Sequence, residues 1–249
     1  MPKNKDKITL YDKINSCKGE IAVLIDPEKT FGSTEIEMLV NKINESFISF
    51  IFIGGSTLKK INLDPIIKKI KKISSLPIII FPGNHTQISS YADGVFYLSL
   101  LTSRNPQFLI EEQIKSTSKI IKSNIEVIPT GYMLLDETGQ SSTSKLTQNI
   151  TKKINQKELL NLSLTAKFMG KKLLIFDKGS GSKNSLQNID LKDIKEKTNL
   201  PIIVGGGIKS TKEIINLKTL GSNIIIVGNF IEKNLDFLDE IKMLYANIN

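Results

Sequence analysis

The sequence predicts an α/β fold, a (β/α)8 TIM barrel in which a short irregular segment replaces the third helix. Eight short runs rich in Ile, Val and Phe alternate with longer charged segments of helical period, which is typical of βα units and a parallel sheet. Most of these runs end in Gly, Asp or Asn, at the edge where this architecture carries its sites. The 249 residues match the size of one barrel. We expect one domain over residues 1–249, with a polar, helical lead-in at 1–18.

The eight predicted strands define the barrel wall. Each is a short apolar run rich in Ile, Val, Leu or Phe, as expected of a strand buried on both faces. They cover residues 21–26, 50–55, 78–83, 94–100, 126–135, 173–178, 202–207 and 224–229.

Predicted helices fill most gaps between these strands. Residues 33–45 begin with a cap-like Ser-Thr-Glu and carry Ile36, Leu39 and Ile43 at helical spacing. The polar stretch 136–155 is interpreted instead as a long loop after strand 5. The other predicted helices cover residues 64–73, 106–122, 156–169, 191–198, 211–220 and 237–246.

One gap is too short for a helix. Residues 84–93 separate strands 3 and 4, contain Ser89-Ser90 and show no amphipathic pattern. A crossover helix with its loops needs about a dozen residues or more. The barrel wall is therefore expected to be thin or open beside strands 3 and 4.

Composition limits the partners and the compartment. The net charge of +9 comes almost entirely from lysines scattered over helical faces, with Arg104 as the one arginine, so we expect no nucleic-acid partner. A positive field attracts anionic substrates and allows transient contact with an anionic membrane surface. The single cysteine, Cys17, excludes an internal disulfide, and the sequence shows neither a secretory signal nor a run long enough to span a bilayer. We expect a cytoplasmic protein.

The strongest functional pattern lies after the last two predicted strands. Gly205-Gly206-Gly207 and Gly228-Asn229 each end a buried strand. Glycines let successive N–H groups point into a concavity, and the second loop leads into the amino end of a helix, both of which favour an anion. Because these loops are the usual phosphate site of the fold, we predict that they bind a phosphate.

Two further strand ends carry candidate chemistry. Asp177, before Gly179-Ser180-Gly181, lies where a general base could act, although an Asp-initiated turn also explains it. Asp26 and Ser56 follow neighbouring strands and together suit Mg²⁺, although Asp26-Pro27 is also a common helix-start turn. Zinc is not expected, since His85 and Cys17 each stand alone. The role of His85 stays open.

These residues together resemble the geranylgeranylglyceryl phosphate synthase family, which includes bacterial heptaprenylglyceryl phosphate synthases. The resemblance runs from Asp26-Pro27-Glu28-Lys29 to Gly228-Asn229 and favours the archaeal-like branch. Its most specific motifs are Gly54-Gly55-Ser56, Phe81-Pro82-Gly83-Asn84, Ser99-Leu100-Leu101-Thr102-Ser103-Arg104-Asn105-Pro106 and Ile128-Pro129-Thr130-Gly131-Tyr132.

The resemblance implies a Mg²⁺-dependent prenyltransferase. Such an enzyme joins a long polyprenyl diphosphate, here expected to be geranylgeranyl diphosphate, to the 3-hydroxyl of sn-glycerol 1-phosphate, giving an ether-lipid precursor. It also implies a barrel without its third helix and a homo-oligomer. The length of the prenyl chain is not fixed by this one sequence. Asp26 and Ser56 match the family's metal ligands, and Asp177 takes the catalytic position. The glycerol phosphate site corresponds to Ile175, Phe176, Asp177, Lys178, Gly179, Ser180, Gly181, Gly206, Gly207, Gly228 and Asn229.

The chain departs from the family motif after strand 6. The family's tyrosine is Ile175 here, which cannot donate a hydrogen bond, and its glutamate is the shorter Asp177. Two alternatives therefore stay open. One is a catalytically weakened barrel that binds phosphate or prenyl lipid. The other is a sugar-phosphate isomerase or aldolase with Lys178 as nucleophile.

Overall fold

A computed structural model of the chain describes residues 8–28, 33–55, 60–147, 153–179 and 189–246. Eight parallel strands close into a barrel in the order β1 to β8, and this confirms the predicted fold. The strands are β1 (Glu20–Ile25), β2 (Ile48–Ile53), β3 (Ile78–Ile80), β4 (Gly94–Leu100), β5 (Glu126–Leu134), β6 (Leu173–Asp177), β7 (Ile202–Gly205) and β8 (Ile224–Val227).

Helices surround the barrel, and the one before β5 begins with a five-residue π-helical turn, Gln107–Glu111. None of the helices among the described residues is long and apolar enough to cross a membrane. The α-helices are α1 (Leu10–Ser16), α2 (Ser33–Glu45), α3 (Asp64–Ile73), α4 (Glu112–Ser123), α5 (Ser142–Thr147), α6 (Gln156–Phe168), α7 (Leu191–Thr198), α8 (Thr211–Thr219), α9 (Asn229–Lys233) and α10 (Phe237–Ala246).

The strands alternate between two buried layers. In β6, Leu173 and Ile175 pack in a cluster inside the barrel, whereas Leu174 and Phe176 belong to the cluster between the sheet and the helices. All four side chains are fully buried. This period of two places every second residue of a strand inside the barrel, where it can line a site at the carboxyl end.

The predicted lead-in contains α1, which fills the amino end of the barrel. Ile14 is fully buried in the inner cluster. The side-chain amide of Asn223 donates to the carbonyl oxygens of Asn15 and Cys17 at 3.1 and 2.9 Å. The Glu126 carboxylate accepts the first backbone N–H of α1, from Leu10, at 2.7 Å. Side chains therefore occupy this end, and the carboxyl end is left for a ligand.

The segment between β3 and β4 contains no helix, as predicted. Hydrogen bonds hold it in place: Asn84 Oδ1 accepts the backbone N–H of Thr86 at 2.8 Å, and the Gln87 side chain donates to the carbonyl of Gly55 at 3.3 Å. Ser89 Oγ donates to Asp64 in α3 at 2.6 Å. An irregular but ordered strap thus takes the place of a helix.

Two elements differ from the prediction. β3 has three residues rather than the six expected, because the chain turns away at Phe81 towards the strap. The stretch 136–155 is not all loop, since α5 lies within it. Before α5, Asp136 Oδ2 accepts the N–H of Ser141 at 2.8 Å, which closes the first part of the stretch into a turn.

Candidate active site

A cavity of about 550 Å³ opens at the carboxyl end of the barrel and brings together most of the predicted site residues. Its polar end is formed by the ends of β1, β6, β7 and β8, and its apolar end reaches β4 and α4. The predicted residues that line it are Asp26, Ile175, Asp177, Gly206, Gly207, Gly228 and Asn229.

Asp177 lies at the centre of the polar end. Its Oδ2 accepts the hydroxyl of Tyr132 at 2.7 Å, and its Oδ1 accepts the backbone N–H of Gly179 at 2.7 Å. Tyr132 is on β5, directly opposite Ile175 of β6 in the strand register. Two hydrogen-bond donors therefore fix the orientation of the Asp177 carboxylate, which lines the cavity.

Burial raises the pKa of both the Asp177 carboxyl and the Tyr132 phenol. Burial raises the pKa of Asp177, and the negative charge of Asp136 raises it further. The hydrogen bonds from Tyr132 and Gly179 lower it, but by less. The pKa of the Tyr132 phenol lies well above its ordinary value, because of burial and of the neighbouring Asp177 charge. Tyr132 thus stays a neutral donor, and Asp177 is a stronger base than an exposed aspartate.

Gly206 brings the loop after β7 against Asp177. Its φ is +90°, and a Cβ at this position would lie 2.6 Å from Asp177 Oδ1 and 2.8 Å from the backbone nitrogen of Gly179. Gly207 is also left-handed, with φ of +73°. Glycine is required here for conformation and for close approach. The predicted phosphate loop and the predicted base are therefore neighbours.

The loop after β8 completes this end of the cavity. Gly228 precedes the short helix α9, which begins at Asn229. Lys209, from the loop after β7, and Lys233, from α9, also line the cavity. The polar end thus combines glycine backbone with two cationic side chains, a combination that favours a phosphate or diphosphate group.

Asp26 lies across the cavity mouth at the end of β1. Its Oδ1 accepts the backbone N–H of Glu28 at 3.0 Å, and a Cβ on Gly55 would lie 2.4 Å from the same oxygen. Any residue with a side chain at position 55 would clash with the Asp26 carboxylate, so this position requires glycine. The second predicted ligand, Ser56, lies outside the described residues, within which no group of three or more His, Cys, Asp or Glu side chains is placed to hold a metal.

Some predicted residues stand apart from the cavity. Phe176 packs in the outer layer, and the Lys178 amine lies 3.7 Å from Glu137 in an ion pair, so neither side chain lines the site. Gly179 contributes its backbone N–H to Asp177. Ser180 and Gly181 lie outside the described residues. The geometry gives no support to Lys178 as a Schiff-base nucleophile.

The apolar end of the cavity passes from inside the barrel to its outer face. Phe81 packs edge-to-face on Phe96 and Tyr132, with ring centroids 5.8 and 5.6 Å apart. Beyond these rings the cavity continues between β4 and α4, past Tyr97 to Ile120. The strap takes the place of a helix here, so the wall has room for a long apolar group.

His85 lies on the strap at the rim of this cavity. Its Nδ1 is 2.7 Å from Glu112 Oε2, and its backbone N–H donates to the same oxygen at 2.6 Å. Gln107 donates to the other carboxylate oxygen at 3.1 Å. His85 therefore ties the strap to the first turn of α4.

Tyr132 is the main site residue that our sequence reasoning missed. The sequence motif Ile128-Pro129-Thr130-Gly131-Tyr132 contains it but does not indicate its hydrogen bond to Asp177. The signal was present in the alternation of β5, because Tyr132 and Leu134 share the inner face with Ile128. What the sequence does not reveal is the register that sets Tyr132 opposite Ile175.

Comparison with known proteins agrees with this geometry. Residues 14–245 match the PcrB family. A geranylgeranylglyceryl phosphate synthase from Zunongwangia profunda is 37% identical over 93% of this chain and 98% of its own length, and one from Thermococcus sibiricus is 35% identical over 91% and 89%.

A solved structure extends the likeness to three dimensions. The (S)-3-O-geranylgeranylglyceryl phosphate synthase of Thermoplasma acidophilum, crystallised with sn-glycerol-1-phosphate, superposes with a TM-score of 0.87 at 26% identity, covering 96% of this chain and 98% of that one. The chain therefore belongs to the PcrB family, the family of the geranylgeranylglyceryl phosphate synthases.

Proposed function

We propose that this protein transfers a polyprenyl group, geranylgeranyl first among the candidates, from its diphosphate to the 3-hydroxyl of sn-glycerol 1-phosphate. One observation carries the proposal: the glycine loop after β7 touches the Asp177 carboxylate at the head of a long apolar cavity. A phosphate site, a base and an apolar channel in one cavity are what this reaction needs. The relatives' names support the same activity.

Each substrate has a matching part of the cavity. The glycerol phosphate group would accept hydrogen bonds from the loops at Gly206-Gly207 and Gly228-Asn229, with Ser180 and Gly181 closing the site as the family resemblance implies. The prenyl tail would lie among Phe81, Phe96 and Tyr97. Burial stabilises such a tail by about 0.8 kcal/mol per CH₂ group. Binding energy from the tail can thus hold the reacting carbon against the acceptor.

Asp177 is proposed as the general base. The C–O bond between the allylic carbon and the diphosphate breaks, and the carbon develops positive charge. The 3-hydroxyl oxygen of the acceptor forms the new ether bond, its proton passes to Asp177, and inorganic diphosphate leaves. The raised pKa of Asp177 brings the base closer to working pH, where proton transfer is efficient.

The residues at the cavity mouth fit a bound Mg²⁺. Asp26 offers one carboxylate in the lining of the cavity, and the absence of a side chain on Gly55 lets this carboxylate pack against the end of β2. Mg²⁺ commonly takes one or two protein carboxylates together with waters and substrate phosphates, so a small protein donor set suits it. We propose Asp26 and Ser56 as its holders. When bound, the ion would neutralise the charge that develops on the leaving diphosphate.

The substitution of the family's tyrosine by Ile175 does not leave the base without a hydroxyl donor. Tyr132, its register neighbour, donates to Asp177 Oδ2. Ile175 is fully buried and pairs with Tyr132 in the strand register. This pair favours an active enzyme over a barrel that only binds phosphate or lipid.

The test is an assay of the full chain with Mg²⁺, labelled sn-glycerol 1-phosphate and geranylgeranyl diphosphate. The proposal expects label to move into the organic phase and inorganic diphosphate to appear in equal amount. The enantiomer, sn-glycerol 3-phosphate, is the matched control and should react much more slowly. Binding of sn-glycerol 1-phosphate without product for any prenyl length would favour the binding-only alternative.

A further inference from the structure

His85 lies across the barrel from the two lysines that line the cavity. Lys209 follows β7 and Lys233 belongs to α9 after β8, whereas His85 follows β3, on the far side of the closed barrel. Of the cavity-lining residues that the structure describes, His85 is the one on this side that can carry a positive charge. A prenyl diphosphate brings several negative charges into the cavity, so a cation here has a group to bind.

The strap holds His85 close to the proposed position of the diphosphate. Gln87, two residues further on, donates to the carbonyl of Gly55 at 3.3 Å, and Gly55 packs against the Asp26 carboxylate. The first part of the strap is therefore fixed beside the ends of β1 and β2. The apolar end of the cavity includes Phe81 and continues between β4 and α4. A donor with its tail in this channel would have its head group beside His85.

One ring nitrogen of His85 is bonded to Glu112, and the other is available to a ligand. Nδ1 lies 2.7 Å from Glu112 Oε2. Burial opposes ionisation of Glu112, but hydrogen bonds from His85 and Gln107 hold its pKa below the ordinary value, so the carboxylate is charged at neutral pH and Nδ1 carries the proton that it accepts. Within the described ranges of the chain, Nε2 has no hydrogen-bond partner, and the His85 side chain is 37% exposed.

We propose that His85 binds the diphosphate head group of the prenyl donor through Nε2–H, with Glu112 holding the ring in place. The inference rests on the proposed function and adds a donor-binding residue to it. Because Nδ1 already carries a proton, the ring needs a second proton on Nε2 to donate to a phosphate oxygen. The ring is then an imidazolium between two anions. Binding of diphosphate should therefore be coupled to proton uptake by His85.

Other charged groups face the same ring. Lys115 Nζ lies 3.8 Å from Glu112 Oε1, and Lys119 donates to a carbonyl of the strap at 3.5 Å. Asp26 and Glu28 line the cavity from the end of β1. These groups are the same before and after diphosphate binds. A change in the protonation of the ring on adding diphosphate therefore reports the head group.

His85 is the single histidine of the chain, so its imidazole gives one distinct proton NMR signal. The test follows the pH titration of this signal in the untagged wild type, with Mg²⁺ and saturating sn-glycerol 1-phosphate, before and after inorganic diphosphate is added. The bound sn-glycerol 1-phosphate keeps the probe away from the glycine loops. The titration should move to higher pH with diphosphate. An unchanged titration would overturn the inference.

His85→Asn separates this contact from the tie to α4. An asparagine amide can replace Nδ1 as a donor to Glu112, but it has no group at the place of Nε2. Calorimetry should show the Kd of inorganic diphosphate raised about tenfold, the low end for a charge-assisted hydrogen bond. Binding of sn-glycerol 1-phosphate and the urea midpoint should stay unchanged. Ser90→Ala, at an exposed position of the strap, is the matched control and should leave both affinities unchanged.

An unchanged Kd for diphosphate in His85→Asn would contradict the inference. An equal weakening of both ligands would also contradict it, because that result indicates a structural role only. Should this variant fail to fold, the NMR titration of the wild type still decides. A wild-type chain that shows the NMR shift but forms no product is a different result, because it contradicts the proposed function and leaves the diphosphate contact in place.

Discussion

At the scale of single residues, Asp177 shows how an ordinary carboxyl becomes a usable base. The carboxylate is held by Tyr132 from one side and by the Gly179 N–H from the other, while burial raises its pKa. The orientation of the Asp177 carboxylate and its basicity thus have different causes. The hydroxyl orients the group and lowers the pKa, and desolvation raises it by more.

Tyr132→Phe should separate these two effects. The substitution removes a hydrogen bond that stabilises the charged carboxylate, so the pKa of Asp177 should rise further. The acidic limb of the kcat/KM profile should then move to higher pH, with the loss of activity largest at low pH. Tyr91→Phe, at an exposed hydroxyl on the strap, is the control. A profile that falls equally at every pH would contradict this role.

Asp26→Ala should weaken the binding of Mg²⁺ and the stabilisation of the leaving diphosphate. Without this carboxylate, the proposed Mg²⁺ loses its charged protein holder, and the leaving group loses stabilisation of several kcal/mol. We expect activity to fall at least about a hundredfold and to need more Mg²⁺. Calorimetry should show binding of sn-glycerol 1-phosphate close to that of the wild type. Unchanged Mg²⁺ dependence would reject Asp26 as a holder.

At the scale of elements, the site depends on contacts between neighbouring loops. The loop after β7 touches the carboxylate at the end of β6 through Gly206, and the strap touches α4 through His85. Neither contact is local in sequence. Each can be tested by a single substitution.

Gly206→Ala should damage the site as well as the fold. A left-handed φ costs a non-glycine residue about 1–2 kcal/mol, and here the added methyl also meets Asp177. Gly170→Ala is the control, because Gly170 has a φ of +76° and nothing within 4 Å of an added Cβ. Urea unfolding should show both variants destabilised, Gly206→Ala the more. Only Gly206→Ala should lose glycerol phosphate binding. Equal behaviour of the two would contradict the close contact.

Glu112→Gln should loosen the strap. Burial opposes ionisation of Glu112, but hydrogen bonds from His85 and Gln107 outweigh it and hold the pKa below its ordinary value. Since the folded pKa is lowered, this stabilisation is present above the unfolded pKa and is lost as pH falls through the folded one. Urea unfolding at pH 7 should show a loss of about 2 kcal/mol relative to the wild type. The loss should shrink in acid, and a pH-independent difference would contradict this assignment.

At the scale of the whole molecule, the barrel was predictable because its signals are local. Eight apolar runs and one short gap at 84–93 give the strands and the missing helix. Asp26, Gly206 and Gly228 could be grouped in advance, since closing a parallel barrel brings all carboxyl ends to one edge. The pairing of Tyr132 with Asp177 could not, since it depends on strand register.

The role of Asp177 as the general base is tested best by comparing Asp177→Asn with the wild type in turnover and in binding. Asparagine keeps the shape of the side chain but cannot take a proton. Turnover of sn-glycerol 1-phosphate with geranylgeranyl diphosphate should fall by about 10² to 10⁴, the usual contribution of a general base. Calorimetric binding of sn-glycerol 1-phosphate should stay nearly intact, because the glycine loops provide it. Unchanged turnover in Asp177→Asn would contradict the assignment of Asp177 as the general base.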